Sequence, residues 1–195
     1  MIQTRSNDLL GARLKDLRTV LAYLRNRSDL DQRRIALWGD TYAPVNPGRV
    51  LLDEVPGWQI GPVIQQQAEP LGGLLAMLGG LYEDSVTAMV VRKGLAAYLS
   101  VLDDNFTYVP NDVIVPGILE VGDVSDVAAS LAPRPLLLES LVDGKDRVVP
   151  GAALEREFAR AVEAYRAAPK NLVMRSGAGT PGVAAWLLAQ LQSGK

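Results

Sequence analysis

The sequence predicts an α/β fold: a mostly parallel sheet of about four strands with helices on both faces. Three observations carry this expectation. Short apolar runs alternate with longer segments whose apolar residues recur every three or four positions. Two of the runs, VTAMVVRK and PLLLESLV, are nearly unbroken, as expected when both faces of a parallel sheet are covered. The chain between successive runs is long enough for crossovers, which are right-handed and make the strands parallel. Residues 1–195 read as one domain with no internal repeat and no low-complexity tract.

Leu9–Arg27 is a predicted helix, because Leu10, Leu14, Leu17, Leu21 and Leu24 step by four and three onto one face. Ser6, Asn7 and Asp8 are its candidate N-caps. The polar turn Ser28–Arg33 feeds a strand over Arg34–Gly39. Residues 43–69 form a loop excursion punctuated by Pro44, Pro47, Pro56, Gly57, Gly61 and Pro62. Its apolar residues, Leu51, Leu52, Val55, Trp58 and Ile60, suggest an ordered excursion over the active-site face. Pro70–Leu81 is a second helix, lined by Leu71, Leu74, Leu75 and Leu81, with Pro70 suited to its first turn.

Val86–Lys93 is the second strand, and Gly94–Leu102 includes a short helical piece. Residues 103–122 are a second loop excursion, with Pro110 and Pro116. Val124–Leu131 is a short helix that stops at Ala132-Pro133. Pro135–Val142 is the third strand, and Asp143–Pro150 a turn. Gly151–Ala168 reads as one strong helix with Leu154, Phe158, Val162 and Tyr165 as its buried stripe. Asn171–Arg175 is the fourth strand, Ser176–Gly182 a glycine-rich turn, and Val183–Leu191 a closing helix with Val183, Trp186, Leu187 and Leu191 inward.

Composition removes several classes of chemistry. Apolar residues make up 48% and charged residues 22% of the chain, ordinary values for a globular protein. The net charge of −2 comes with no basic stripe, so no nucleic-acid partner is expected. No run of eighteen apolar residues marks a membrane span, and MIQTRSNDLL lacks a signal-peptide pattern. The absence of cysteine removes thiolate catalysis and soft metal sites. The absence of histidine removes the commonest general base and the commonest zinc ligand. No cofactor and no metal is expected. Any hydrolysis would have to run on carboxylates, Lys, Tyr or hydroxyls.

Two further motifs have plain readings. Gly177-Ala178-Gly179-Thr180-Pro181-Gly182 matches G-x-G-x-x-G between a strand and a helix. No acidic residue follows about 20 positions later, so a tight strand-to-helix turn is preferred over a nucleotide site. Asp143-Gly144-Lys145-Asp146 lacks the alternating ligands of a calcium loop and reads as a turn with two carboxylates. Asp103-Asp104 reads as a solvated loop pair.

The order of these parts resembles the C-terminal half of an α/β hydrolase, in the branch of the acetyl xylan esterases and dienelactone hydrolases. Three stretches carry the resemblance. Leu17–Gly39, read from Asp16 as DLRTVLAYLRNRSDLDQRRIALWG, is similar to the helix and strand leading to the nucleophile elbow. Asp123–Pro150, DVSDVAASLAPRPLLLESLVDGKDRVVP, is similar to the helix, strand and acid turn. Pro169–Leu191 is similar to the last strand and helix.

The resemblance implies a partial three-layer sandwich without the N-terminal strands, and a triad in the order Ser, Asp or Glu, His. The elbow pentapeptide G-x-S-x-G falls on Gly39-Asp40-Thr41-Tyr42-Ala43. Thr41 occupies the nucleophile slot and Asp146 the acid slot, with Asp143 as the near alternative. The histidine turn falls on Ser176–Thr180, which holds no histidine. A competing alignment places Ala68–Gly73 at the elbow, with Pro70 in the nucleophile slot and Gly72-Gly73 leading into the helix.

A β-branched residue suits the strained elbow poorly. Tyr42 would supply one oxyanion N–H, and Tyr42, Trp58 and Tyr108 are the expected substrate-binding residues. Trp38 is expected in the core beside the first helix. The Arg34–Gly39 strand, central in a full hydrolase, would here be an exposed apolar edge open to self-association or to a preceding domain. The implied function is a degenerate-triad domain, a scaffold or binding part of a larger protein. The alternative is a weak carboxylesterase on small acyl or acetyl esters, using Thr41 and Asp146.

Overall fold

The computed structural model describes residues 5–47, 71–103, 107–110 and 113–193. Four strands form a single sheet in the order of the chain: β1 (Ile35–Gly39), β2 (Val86–Arg92), β3 (Leu136–Glu139) and β4 (Leu172–Arg175). Every neighbouring pair is parallel. In register, Trp38 lies beside Val90, Val90 beside Leu137, and Leu137 beside Val173. All four strands therefore end on one side, and the polar residues that follow them collect there.

Helices α1 (Arg5–Arg25), α2 (Leu71–Tyr82), α3 (Val124–Ser130), α4 (Gly151–Glu157), α5 (Ala159–Ala164) and α6 (Gly179–Ser193) complete the fold. The main core joins Leu21 of α1, Met77 of α2, Val124 and Ala128 of α3, Leu154 of α4 and Ala161 of α5 to Met89, Val91, Leu136 and Leu138 of the sheet. Alternate strand residues point the other way. Val90 and Leu137 meet Val183, Trp186 and Leu187 of α6. The result is three layers, with α6 on a face of its own.

The leucine ladder of α1 forms as its spacing predicts, with Leu21 buried and Leu17 and Leu24 against the core. In α2 the roles differ from the expectation. Gly73, Ala76, Met77, Gly79 and Gly80 are buried, while the leucines are half-buried. Small residues face the sheet because the helix lies so close. A Cβ on Gly80 would meet the Met89 sulfur at 2.7 Å, and one on Gly79 would meet Leu37 at 2.6 Å.

Several expectations are corrected. The single helix predicted over 151–168 is two helices, broken at Phe158 (φ −94°, ψ 20°). The break inserts the Phe158 ring into the core and changes the helical phase. Ala161 takes the buried position, and Val162 is left 47% exposed. Tyr165 remains buried, and its hydroxyl donates to the Arg134 carbonyl at 2.7 Å. Trp38 packs on the face opposite to the one expected, against α6 rather than α1. Residues on one strand alternate faces, and Leu37 already takes the side of α1 and α2. Two helix starts also move. Ser6, Asn7 and Asp8 lie within α1 rather than capping it, and α6 begins at Gly179, so Thr180–Gly182 form its first turn.

Candidate active site

The chain leaving the carboxyl ends of β1, β2 and β3 carries Thr41, Lys93 and Asp146. Gly39 ends β1 against the first turn of α2. A Cβ on Gly39 would lie 1.9 Å from the Gly72 carbonyl oxygen, and one on Gly72 would lie 2.6 Å from the Asp40 carbonyl oxygen. The two alternative elbow alignments are thus halves of one strand-to-helix junction. Gly39 supplies the strand side and Gly72-Gly73 the helix side, with the first loop excursion inserted between them in the sequence. Pro70, the nucleophile slot of the second alignment, lies outside the described residues, as does the excursion from 48 to 69.

Thr41, in the nucleophile slot of the first alignment, is 6% exposed. Its backbone N–H donates to Asp40 Oδ1 at 2.8 Å, and its Oγ1 accepts from the Ala43 N–H at 3.2 Å. Both are local turn bonds. Among the described residues, the non-glycine positions with positive φ are Lys93, Ser140 and Asp146, so Thr41 lacks the left-handed backbone of an elbow nucleophile. Tyr42 beside it is fully exposed.

The acid turn separates its two aspartates by environment. Asp143 is fully engaged. Its Oδ1 accepts the N–H groups of Lys145 and Arg147 at 2.9 and 3.0 Å, and its Oδ2 accepts Arg147 Nε at 2.9 Å and Nη2 at 2.6 Å. Asp146, in the left-handed region at φ 57°, is wholly buried, and neither carboxylate oxygen has a hydrogen-bond partner among the described residues. Burial pushes its carboxyl up to about 7, the Lys93 ammonium opposes the rise, and Asp143 adds to it. An unpartnered buried carboxylate is costly, and functional sites are where such groups collect.

Two loops are sewn to this turn. The Asn46 N–H donates to the Asp146 carbonyl at 2.7 Å, and Asn46 Nδ2 donates to the Lys145 carbonyl at 3.0 Å. Lys93 Nζ donates to the Ala43 carbonyl at 3.3 Å. From the other excursion, the Tyr108 N–H donates to the Gly144 carbonyl at 2.8 Å, as does Thr107 Oγ1 at 3.0 Å. Tyr42 and Tyr108 therefore belong to two loops that grip the same turn, and Tyr108 is half-buried. Trp58 lies outside the described residues. A groove of about 440 Å³ runs beside the turn, lined by Ala96, Ser100, Asp143, Arg147, Pro150 and Glu157 among others, but not by Tyr42 or Tyr108.

At the histidine slot, Ser176–Thr180 is tied to the end of β3. The Ala178 N–H donates to Glu139 Oε1 at 3.0 Å, and the Gly177 N–H donates to Ser140 Oγ at 3.3 Å. Glu139 is 1% exposed, and its Oε2 lies 3.4 Å from Arg175 Nε. A carboxylate from the same chain thus takes an amide of the glycine-rich turn that an anion would otherwise approach. Arg92 Nη1 bridges Asp40 Oδ2 at 3.2 Å and Thr180 Oγ1 at 2.9 Å, linking the nucleophile and histidine slots.

Sequence reasoning did not single out Arg92, Lys93, Glu139 or Arg175. A signal was present. Each is a charged residue at or just past the C-terminal end of an apolar strand, where open α/β sheets place their ligands. Asp103 is exposed, in keeping with a solvated position, and Asp104 lies outside the described residues.

No family model matches the sequence, and no curated protein matches it. Solved structures do. A Bacteroides fragilis NCTC 9343 protein assigned as an acetyl xylan esterase aligns with a TM-score of 0.54 at 18% identity, covering 86% of this chain and 36% of that one. A CE15 glucuronoyl esterase from Teredinibacter turnerae T7901 aligns at 0.53 and 15% identity, covering 94% and 46%. A CE15 esterase from a marine bacterial metagenome aligns at 0.51 and 12% identity, covering 93% and 47%. The chain spans about a third to a half of the length of these structures. Its four parallel strands and flanking helices form an α/β fold that matches part of these esterase structures.

Proposed function

We propose that this chain is a hydrolase-fold domain whose triad has degenerated, and that it serves as a scaffold or binding part of a larger protein. The observation that carries the reading is the state of the base position. Ser176–Thr180 has no histidine, and Glu139 and Ser140 already hold its amides. Thr41 adds support, because its backbone lacks the elbow conformation. A hydroxyl becomes an effective nucleophile through an adjacent general base, and the usual base is missing from the composition.

The binding part of the reading rests on the loops. Tyr42, Trp58 and Tyr108 are the side chains we assign to a sugar or acyl ligand, and the exposed ring of Tyr42 supports this assignment. The partner part rests on β1. Among the described residues it pairs with β2 alone, which supports a further strand, from a preceding segment or from a second copy, on its outer edge.

A second reading, a weak carboxylesterase, is favoured by one observation: Asp146 is buried and titrates near neutrality beside Lys93. Hydrolysis of a small activated acetyl ester, measured for the wild type and for Thr41→Ala, separates the two. No turnover above background, with saturable sugar or acyl binding by calorimetry, supports the first. Turnover that disappears in the variant establishes the second.

A further inference from the structure

Asp146 sits at a seam between three pieces of chain that are distant in sequence. The strap 40–47 leaves β1, residues 93–96 leave β2, and the turn 143–148 leaves β3. Across the seam run the bonds from the Asn46 N–H to the Asp146 carbonyl, from Asn46 Nδ2 to the Lys145 carbonyl, and from Lys93 Nζ to the Ala43 carbonyl. The Ala96 N–H donates to the Val142 carbonyl at 2.8 Å and fixes the turn to the second piece. On the turn that these bonds hold, the Asp146 side chain is fully buried with both oxygens unpartnered among the described residues.

We propose that this seam is a proton-controlled latch: the neutral Asp146 carboxyl lets the strap close on the acid turn, and its ionisation lifts the strap. The latch does not depend on whether the chain hydrolyses esters. Burying a neutral carboxyl costs far less than burying an anion with no hydrogen-bond donor, so ionisation favours whichever arrangement lets water reach the oxygens.

The charged groups around the seam set the balance. Lys93 favours the anion, and Asp143 opposes it although Arg147 neutralises much of its charge. Asp40 is paired with Arg92 on the strap side. Lys145 lies on the turn itself. The carboxyl titrates at about 7 with the strap closed and near its ordinary value with the strap open. The closed population then falls about tenfold relative to the open one between pH 6 and pH 8.

Amide exchange by NMR on the intact chain tests this, with each rate divided by the intrinsic rate at that pH. The protection of Asn46 is expected to lie well below that of Val91 in β2, as local opening requires, and to fall about tenfold from pH 6 to pH 8. Asp146→Asn is expected to abolish the fall. Lys93→Met lowers protection at every pH by removing the bond to Ala43. It is also expected to deepen the fall over the same interval. The fall levels off only above the closed-state value, and that value rises once the opposing cation is gone. Equal Asn46 protection at the two pH values in the wild type overturns the latch. So does a fall that persists in Asp146→Asn, or one that is no deeper in Lys93→Met.

Discussion

Gly39 and Gly72 bring a strand and a helix into backbone contact, with a Cβ on Gly39 placed 1.9 Å from the Gly72 carbonyl oxygen. The obstacle is main chain, which cannot rotate aside as a side chain can. Gly39→Ala is therefore expected to cost about 3 kcal/mol or more, at the upper end of overpacking effects. Gly151, at the start of α4, has nothing within 4 Å of its Cβ position. Gly151→Ala is expected to be neutral or to stabilise by up to about 1 kcal/mol. Urea unfolding of the two variants beside the wild type checks the contrast, and equal midpoints would remove the close-contact account of the junction.

Asp146 makes global stability depend on pH. Its carboxyl is raised in the folded chain from 3.8 to about 7. The stability linked to the protonated form is complete below pH 3.8 and is lost as pH rises from there through about 7. The loss by pH 8 is at most about 4 kcal/mol, and less where the strap lifts. Asp146→Asn is expected to be more stable than wild type at pH 8 and similar at pH 4. Thermal melts across this range read the difference directly.

Glu83 ties α1 to the turn before β2 and has the opposite pH dependence. Its side chain is 7% exposed, with Arg18 Nε at 2.6 Å and Arg25 Nη1 at 2.5 Å. The bonds from Arg18 and then Arg25 hold its carboxyl below the usual carboxylate range, against the effect of burial. Its contribution is present above the ordinary carboxylate value and is lost as pH falls through the lower, folded value. Glu83→Ala is expected to cost about 1–3 kcal/mol at pH 7, the range for lost charge-assisted bonds, and less at pH 3. A cost that does not change with pH would show that packing, not charge, holds α1 in place.

Glu139 decides what the glycine-rich turn can accept. Because its carboxylate holds the Ala178 N–H, no dinucleotide is expected to bind the wild type at millimolar concentration. Glu139→Ala is expected to lower the melting temperature, since it frees the turn and leaves Arg175 without its carboxylate neighbour. Calorimetric titration with a dinucleotide, together with a melt of the variant, tests both statements. Tight binding to the wild type would restore the nucleotide reading of the motif.

The four strands and the order of elements were legible in the residues, because a buried strand and an amphipathic helix each write a local period. β2 and β3 illustrate this: every residue of β3 is buried, and five of the seven in β2 are. The elbow slot was legible only in part, since the junction is built from Gly39 and Gly72, which local spacing treats as rival alignments. The kink at Phe158 was not legible. The spacing of Leu154, Phe158, Val162 and Tyr165 reads as one helix, whereas the chain breaks at Phe158 and α5 packs against α3.

By itself, the sequence determined the fold class, the parallel strands, and the absence of histidine from residues 1–195, which composition alone gives. The tertiary structure decided which aspartate of the acid turn is buried with no hydrogen-bond partner among the described residues, which face Trp38 takes, and that Glu139 holds the glycine-rich turn. The physical reason is that periodicity is local to a segment. Desolvation and hydrogen-bond satisfaction are set by whatever distant chain folds over a side chain.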